Sequence, residues 1–514
     1  MLRYTLRRFA QMVFMLFLLS ILVFFLFALM PGDFFSGNRK LKPARLAELR
    51  ALYGLDQPTI VRYFIWLKNV FHGDFGWSLQ YNEPVTRLLK TYMMNSFIVA
   101  LAAVVIAWTV AVVIGVFSAT HQYSLVDKLV TVVVFASLSF PSFFIGLLAI
   151  KFFAVDLRWL PTGGMVDTGS NSTGFAYVLE VLRHMIMPTL LLAFFSAGSL
   201  TRYFRSEMLD VLRMDFVRCA RARGISERSV VSAIALRNAL LPAITLLAFE
   251  IPGLFSGAII TEQIFNWPGI GSIQLTALNA RDYEVLMTCT LLLSFLTILA
   301  NSWPTSCMPL RIHVSGWRRK FRIDMKLLRS ESRSRSQRSV NGGKMQNSGV
   351  RPLWYRNLVR LTHTRAAAVS IATLVLVLVL SVLGPLFSPY GQNQLDVPNA
   401  EQGPTLDHLL GTDDYGRDIL TRLMYAGRIS LTIGLASTVL SVVLGATIGI
   451  ASGYFGGWID AVIMRMADLL MSIPSLPLLI IMAALLSEFK VPASSRIYVV
   501  MVMLSIIAGR VCRA

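Results

Sequence analysis

Apolar runs of roughly 20 residues, long enough to cross a bilayer as helices, recur near 9–31, 96–120, 130–154, 187–201, 241–261, 284–303, 366–388, 428–452, 463–486 and 497–511. Hydrocarbon offers no hydrogen bonds, so each crossing segment must satisfy its own backbone, and unbroken runs of this kind do so as helices. The 514 residues are 55% hydrophobic and 15% charged. With a mean hydropathy of +0.62, the chain is too apolar for a soluble globular protein. The expected fold is an all-α, polytopic transmembrane helical bundle of about ten spans.

Arg3, Arg7 and Arg8 precede the first run, which ends without a small-residue cleavage site and is read as a retained helix. Basic residues collect on the cytoplasmic side, which places the N-terminus inside. Each crossing then changes side. The parity puts the arginine-bearing stretch 202–240 and the linker 311–365 inside, and the loops 32–95, 262–283 and 389–427 outside. The formal net charge of +20 follows from the same bias, so no nucleic-acid partner is expected and membrane lipid is. The linker, with RSESRSRSQRS and NGGK, reads as a solvated segment between two tandem modules, 1–310 and 366–514.

Cys219, Cys289, Cys307 and Cys512 are scattered, without a CxxC pair or disulfide density. The chain carries no G-x-x-x-x-G-K-[ST] phosphate loop, no H-E-x-x-H and no G-x-S-x-G. His408 lies in an outer loop, and His184 and His313 flank spans, so no metal-ligand set or nucleophile with a base is apparent. No enzymatic activity, catalytic residue, metal site or bound cofactor is expected in this chain. Gly445, Gly449, Gly453 and Gly457 recur every fourth residue and suggest a flat strip for close helix packing.

DFVRCARARGISERSVVSAIALRNALLPA, Asp215 to Ala243, carries Arg218, Arg221, Arg223, Arg228 and Arg237 between two apolar runs. It reads as helix, break, helix. Phe216, Val217, Ala220 and Ile225 form one apolar stripe, Arg218, Arg221 and Arg228 face away, and Gly224 permits the break. Pro242 sets the start of the next span. Two readings fit: a lever for a soluble partner, or a helix lying on anionic headgroups. Glu250, beside Pro252 within an apolar run, is an intramembrane carboxylate and a candidate for the translocation path.

The stretch is similar to the cytoplasmic coupling loop of ABC importer permeases, whose pattern is Glu-Ala-Ala, three residues, Gly, and later Leu-Pro. Arg218, Cys219 and Ala220 stand at the Glu-Ala-Ala positions, Gly224 at the glycine and Leu241-Pro242 at the end. YGLDQP (53–58), GDFGWSLQYNEPV (73–85) and EQIFNWPGIGSIQLTALNARDYEVLM (262–287) resemble the first membrane subunit of dipeptide and oligopeptide importers. LGTDDYGRDILTRLMYAGRISLTIGLA (410–436) and GYFGGWIDAVIMRMADLLMSIPSLPLL (453–479) resemble the second. The chain thus resembles a head-to-tail fusion of a peptide/nickel-type pair.

The resemblance implies a permease that receives peptides from an extracellular solute-binding protein and is driven by separate ATPase subunits holding the ATP. It assigns the ATPase contact to Arg218, Ala220, Ala222, Arg223 and Gly224, with Pro242 closing the segment. A nickel or other small-solute importer shares these motifs. Two departures are visible. After Asn301 the chain reads SWPTSCMPLRIHV, which one added nucleotide would turn into the family's usual ending, as a one-base deletion joining two genes would produce. The second module has room for four spans and shows no coupling loop. An intact second permease subunit as partner, or an inactive relic, are the two expectations this raises.

Overall fold

The computed structural model describes residues 2–30, 32, 34–37, 43–52, 54–240, 242–243, 246–247, 250, 259–312, 365–472 and 475–508. Residues 313–364 of the expected linker and most of the expected span 241–261 lie outside them. In chain order the helices are α1 (Leu2–Ala28), α2 (Pro43–Leu52), α3 (Thr59–Phe71), α4 (Val85–Thr120), α5 (Leu125–Ser139), α6 (Ser142–Ala149), α7 (Phe175–Leu212), α8 (Asp215–Ala222), α9 (Ile259–Ile264), α10 (Ile270–Ala280), α11 (Tyr283–Ile312), α12 (Arg365–Phe387), α13 (Ile419–Phe455), α14 (Gly457–Ser472), α15 (Ser475–Glu488) and α16 (Ala493–Ala508). Among the described residues the strands are one short hairpin, β1 (Trp77–Ser78) and β2 (Glu83–Pro84), paired antiparallel. The fold is all-α and polytopic, as the apolar runs require.

Among the described residues five helices are long and apolar enough to cross a membrane, within Phe9–Ala28, Val85–Thr120, Phe175–Leu212, Ala367–Phe387 and Ile419–Phe455. A sixth crossing is added if α5 and α6 with its π-helical extension to Asp156 count as one span, bent by 104° at Pro141. A proline cannot donate to the preceding turn, and its ring disfavours helix in the residue before it. Shorter apolar helices lie at Tyr283–Leu299 and Ser495–Ser505. The expected 463–486 run divides between α14 and α15.

The chain divides into two compact units, Met1–Arg311 with Arg465–Phe489, and Ile312–Met464 with Lys490–Ala514. The spine of the first is the pairing of α4 with α7. Ser96, Val99, Ala103, Ala107, Ala111, Gly115 and Ala119 recur at three or four residue intervals and are buried. Small residues let helix backbones approach closely, which substitutes in lipid for the missing hydrophobic drive. A Cβ on Gly115 would sit 2.8 Å from the Phe204 Cβ and 3.2 Å from the Thr201 carbonyl oxygen. Phe204 fills the resulting groove, fully buried beside Ala103, Ala107 and Ala111. At the other end, α1 meets α3 through Phe24, whose ring centroid lies 5.3 Å from Tyr63 and 5.5 Å from Trp66.

In the second unit α13 packs against α12 and α16. Ser505 donates from Oγ to the Ser437 carbonyl at 3.0 Å, and Ser441 donates to the Ser505 carbonyl at 3.2 Å. The four glycines of the strip differ in their surroundings. Gly445 is buried, Gly449 and Gly453 have open space where a Cβ would stand, and Gly457 lies beyond the end of α13. Gly456 and Gly457 both take positive φ, 56° and 58°, and so make the turn into α14.

Candidate functional site

The segment after α7 folds as a short helix, a left-handed glycine and a second helical stretch. Asp215 in the first turn of α8 complements the positive helix end. Val217 and Ala220, three residues apart, share one face and are buried against Ala119 of α4, Met208 and Val211 of α7, and Val230. Phe216 is half-buried on the same cluster. The helix ends in a Schellman motif: the Gly224 N–H donates to the Arg221 carbonyl at 2.9 Å and the Ile225 N–H to the Ala220 carbonyl at 3.3 Å. Gly224 takes φ +78°, and nothing lies within 4 Å of the position a Cβ would occupy. The glycine answers a backbone need and leaves the surface at that point open.

Across this turn Arg221 donates to both oxygens of Glu227, Nε to Oε2 at 3.0 Å and Nη2 to Oε1 at 2.6 Å. The Arg221 hydrogen bonds hold the Glu227 carboxyl below the usual glutamate range. The chain continues through Glu227–Ser229 and a π-helical turn, Val230–Ala235, with Val230, Ala235 and Ala239 buried.

Arg218, Cys219, Arg221, Ala222, Arg223 and Gly224 are exposed. Of the residues assigned to a partner, Arg218, Ala222, Arg223 and Gly224 are open to one. Ala220 is not: at 6% exposure it faces inward, because the i, i+3 spacing from Val217 puts both on the seated face, and its role is to hold the helix down. Ile225 leaves the expected stripe and is 39% exposed, since the left-handed Gly224 turns the chain away after the last residue of α8. Pro242 is exposed and helical, and Leu241 lies outside the described residues. Glu250 is helical and half-buried; the neighbouring residues 248–249 and 251–258 lie outside the described residues.

Beneath the seated helix is a polar lock that sequence reading missed. Asp127, at the start of α5, accepts from Arg205 of α7 at 3.0 Å twice, from the Tyr123 N–H at 2.9 Å and from the Ser118 hydroxyl at the end of α4. Ser124 caps α5, accepting from the Asp127 N–H at 3.1 Å. Three long helices are thereby joined at the end where α8 docks. The visible signals were an aspartate in the short polar break HQYSLVDK and an arginine within TRYFRSE.

At the opposite end the quoted motifs meet one another. Ser78 donates to Asp282 at 2.7 Å, and the Gln80 N–H to the same oxygen at 3.1 Å. Burial pushes the Asp282 carboxyl up against these bonds. Glu262 caps α10, accepting from the Gly271 and Ser272 N–H groups at 2.8 and 3.0 Å and from the Ser96 hydroxyl at 2.6 Å. A Cβ on Gly271 would stand 2.7 Å from the Ile259 Cα, so the Pro-Gly-Ile-Gly run serves close packing. In the second unit, Asp413 in LGTDDYGRD accepts from the Tyr415 and Arg417 N–H groups, both at 3.0 Å, and from Arg417 Nε at 2.8 Å.

Residues 111–304 match the family model for binding-protein-dependent transport system inner membrane components, and residues 1–84 match a separate model for the N-terminal part of such membrane components. Residues 352–404 match the N-terminal transmembrane domain of oligopeptide transport permease C. The chain is 35% identical over 301 residues to the oligopeptide transport system permease protein AppB of Bacillus subtilis, across 58% of this chain and 94% of that protein. It is 36% identical over 318 residues to the di/tripeptide transport system permease protein DppB of Pseudomonas aeruginosa, across 59% of this chain and 95% of that protein. With apolar helices of spanning length, these likenesses show that the chain belongs to the family of binding-protein-dependent transport system inner membrane components and is a multi-pass inner-membrane permease.

Proposed function

We propose that this chain is a membrane-embedded permease of a peptide ABC importer, taking dipeptides or oligopeptides from an extracytoplasmic binding protein and driven by separate ATPase subunits. The observation that carries this reading is the seating of α8. Val217 and Ala220 hold it on the joined ends of α4 and α7, while Arg218, Ala222, Arg223 and Gly224 are left exposed. A partner pressing on these residues moves α4, α5 and α7 together through the Asp127–Arg205 lock, which is how closure of an ATPase dimer becomes a change of access between the two sides. The exposed residues face the cytoplasm in this reading, with the N-terminus on the same side. The peptide substrate is supported by the names of the relatives, and the tandem order by the permease C match that follows the first family match. The two modules, 1–310 and 366–514, are then a fused pair joined by the basic linker.

Capture of the peptide importer's ATPase subunits from detergent-solubilised membranes tests this. Wild-type protein is expected to retain them and Gly224→Asp to lose them. Absence of capture by the wild type sinks the reading, as does equal capture by the variant.

A further inference from the structure

Glu180 and His184 stand one turn apart on the same face at the start of α7. The preceding loop folds back over them. It is fixed by the Gly164 N–H donating to the Phe265 carbonyl at 2.8 Å, and it lays Asp167 against both side chains. The ring of His184 is almost wholly buried, with 2% of its side chain exposed. Its Nδ1 lies 3.1 and 3.2 Å from the carbonyl oxygens of Gly163 and Gly164. Carbonyls only accept, so Nδ1 carries a proton, and Nε2 is left to hold either a lone pair or a second proton.

That Nε2 is buried and makes no hydrogen bond. It faces Asp167 Oδ1 at 3.4 Å, and ligand atoms of Asp167, Glu180 and His184 all lie within 4.8 Å of one another. A buried ring nitrogen facing carboxylate oxygens calls for a positive charge among them, supplied by a metal ion on Nε2 or by a proton. The Glu180 carboxylate is itself oriented by the Asp167 N–H at 2.7 Å and by the hydroxyls of Ser170, at 2.8 Å, and Ser172. The carbonyls behind His184 and the donors around Glu180 are the outer-shell partners that metal ligands use.

We propose that Asp167, Glu180 and His184 bind a divalent transition-metal ion of the zinc class, tying loop 157–174 to α7. Ligands about 2.1 Å from a tetrahedral zinc stand about 3.4 Å apart, the separation of Nε2 and Oδ1. One imidazole with two carboxylates favours zinc over calcium or magnesium, which prefer all-oxygen sets. Asp167, with 66% of its side chain exposed, leaves the ion reachable from solvent, and three protein ligands leave a fourth position to water. The competing occupant is a proton on Nε2, which would give an imidazolium paired with Asp167.

Zinc titration by calorimetry of the full chain, purified without a polyhistidine tag and stripped with chelator, separates the two. The wild type is expected to bind about one zinc per chain, with calcium and magnesium failing to compete. Asp167→Asn, on an exposed side chain that the fold does not need, and Glu180→Gln are each expected to weaken binding at least about tenfold. Cobalt in place of zinc is expected to give the visible absorption of a tetrahedral site, lost in Asp167→Asn. No zinc binding by the wild type, or zinc binding that both substitutions leave unchanged, overturns the proposal in favour of the proton or of ions held elsewhere.

Discussion

Arg205 of α7 grips Asp127 of α5 with two hydrogen bonds of 3.0 Å, Nε to Oδ1 and Nη2 to Oδ2, under the seat of α8. The aspartate side chain is 5% exposed and the arginine 32%, so the two are unequal in what they leave behind. Arg205→Met strands a buried carboxylate and is expected to cost about 3–5 kcal/mol. Asp127→Asn leaves a half-wet guanidinium and costs about 1–3 kcal/mol. Arg205→Lys keeps the charge without the fork and falls between. Thermal unfolding in detergent measures the order.

At Gly224 the expected order is set by backbone and not by bulk, because φ is +78° and the Cβ position is open. Asn tolerates this conformation best, Ala costs about 1–2 kcal/mol, and a β-branched Val costs more. ATPase capture and peptide uptake should fall in the sequence Gly, Asn, Ala, Val. A variant order following side-chain volume alone, with Ala better than Asn, contradicts the assignment.

Glu227 offers a pH test of the same turn. Arg221 holds its folded carboxyl low, so the unfolded state takes up a proton first as pH falls. The pair's contribution is complete above the ordinary glutamate range, near about 4.3, and is lost as pH drops through the lowered folded value. Hydrogen exchange of residues 221–230 should therefore stay unchanged from pH 8 to pH 5 after correction for intrinsic rates. Glu227→Gln should raise it at every pH in that window.

The loop around Asp413 behaves alike in the second unit. Burial opposes ionisation, yet the N–H groups of Tyr415 and Arg417 and the Arg417 side chain hold its carboxyl at about 2. Stability from this group is full above about 3.9 and disappears toward pH 2. Asp413→Asn should abolish that dependence and expose 396–417 to proteolysis at neutral pH.

Local periodicity made much of the site legible. The seated pair Val217 and Ala220 and the break at Gly224 follow from spacing and from glycine's backbone freedom. The lock between Asp127 and Arg205 did not follow, because the partners are 78 residues apart and neither sits in an apolar pattern that reports its neighbour. Ser78 and Asp282 are 204 apart; both motifs stand out in the sequence, and nothing local shows that they touch. Helix ends were also misplaced. The run 187–201 proved to be the middle of Phe175–Leu212, since polar helix formers such as Arg202, Arg205 and Glu207 end an apolar run without ending a helix. The close-packing strip of α4 was hidden because its alanines are unremarkable one at a time.

α4 and α7 have 36 and 38 residues, about 54 and 57 Å of rod at 1.5 Å per residue, against about 30 Å of hydrocarbon. Their ends therefore stand in water whatever the acyl-chain length. A thicker or thinner bilayer slides the wetting line along the pair and leaves the register of Phe204 on Gly115 untouched. Membranes of different lipid composition should accordingly carry this permease with little change in its internal alignment, a tolerance that helices cut to the bilayer's width would lack.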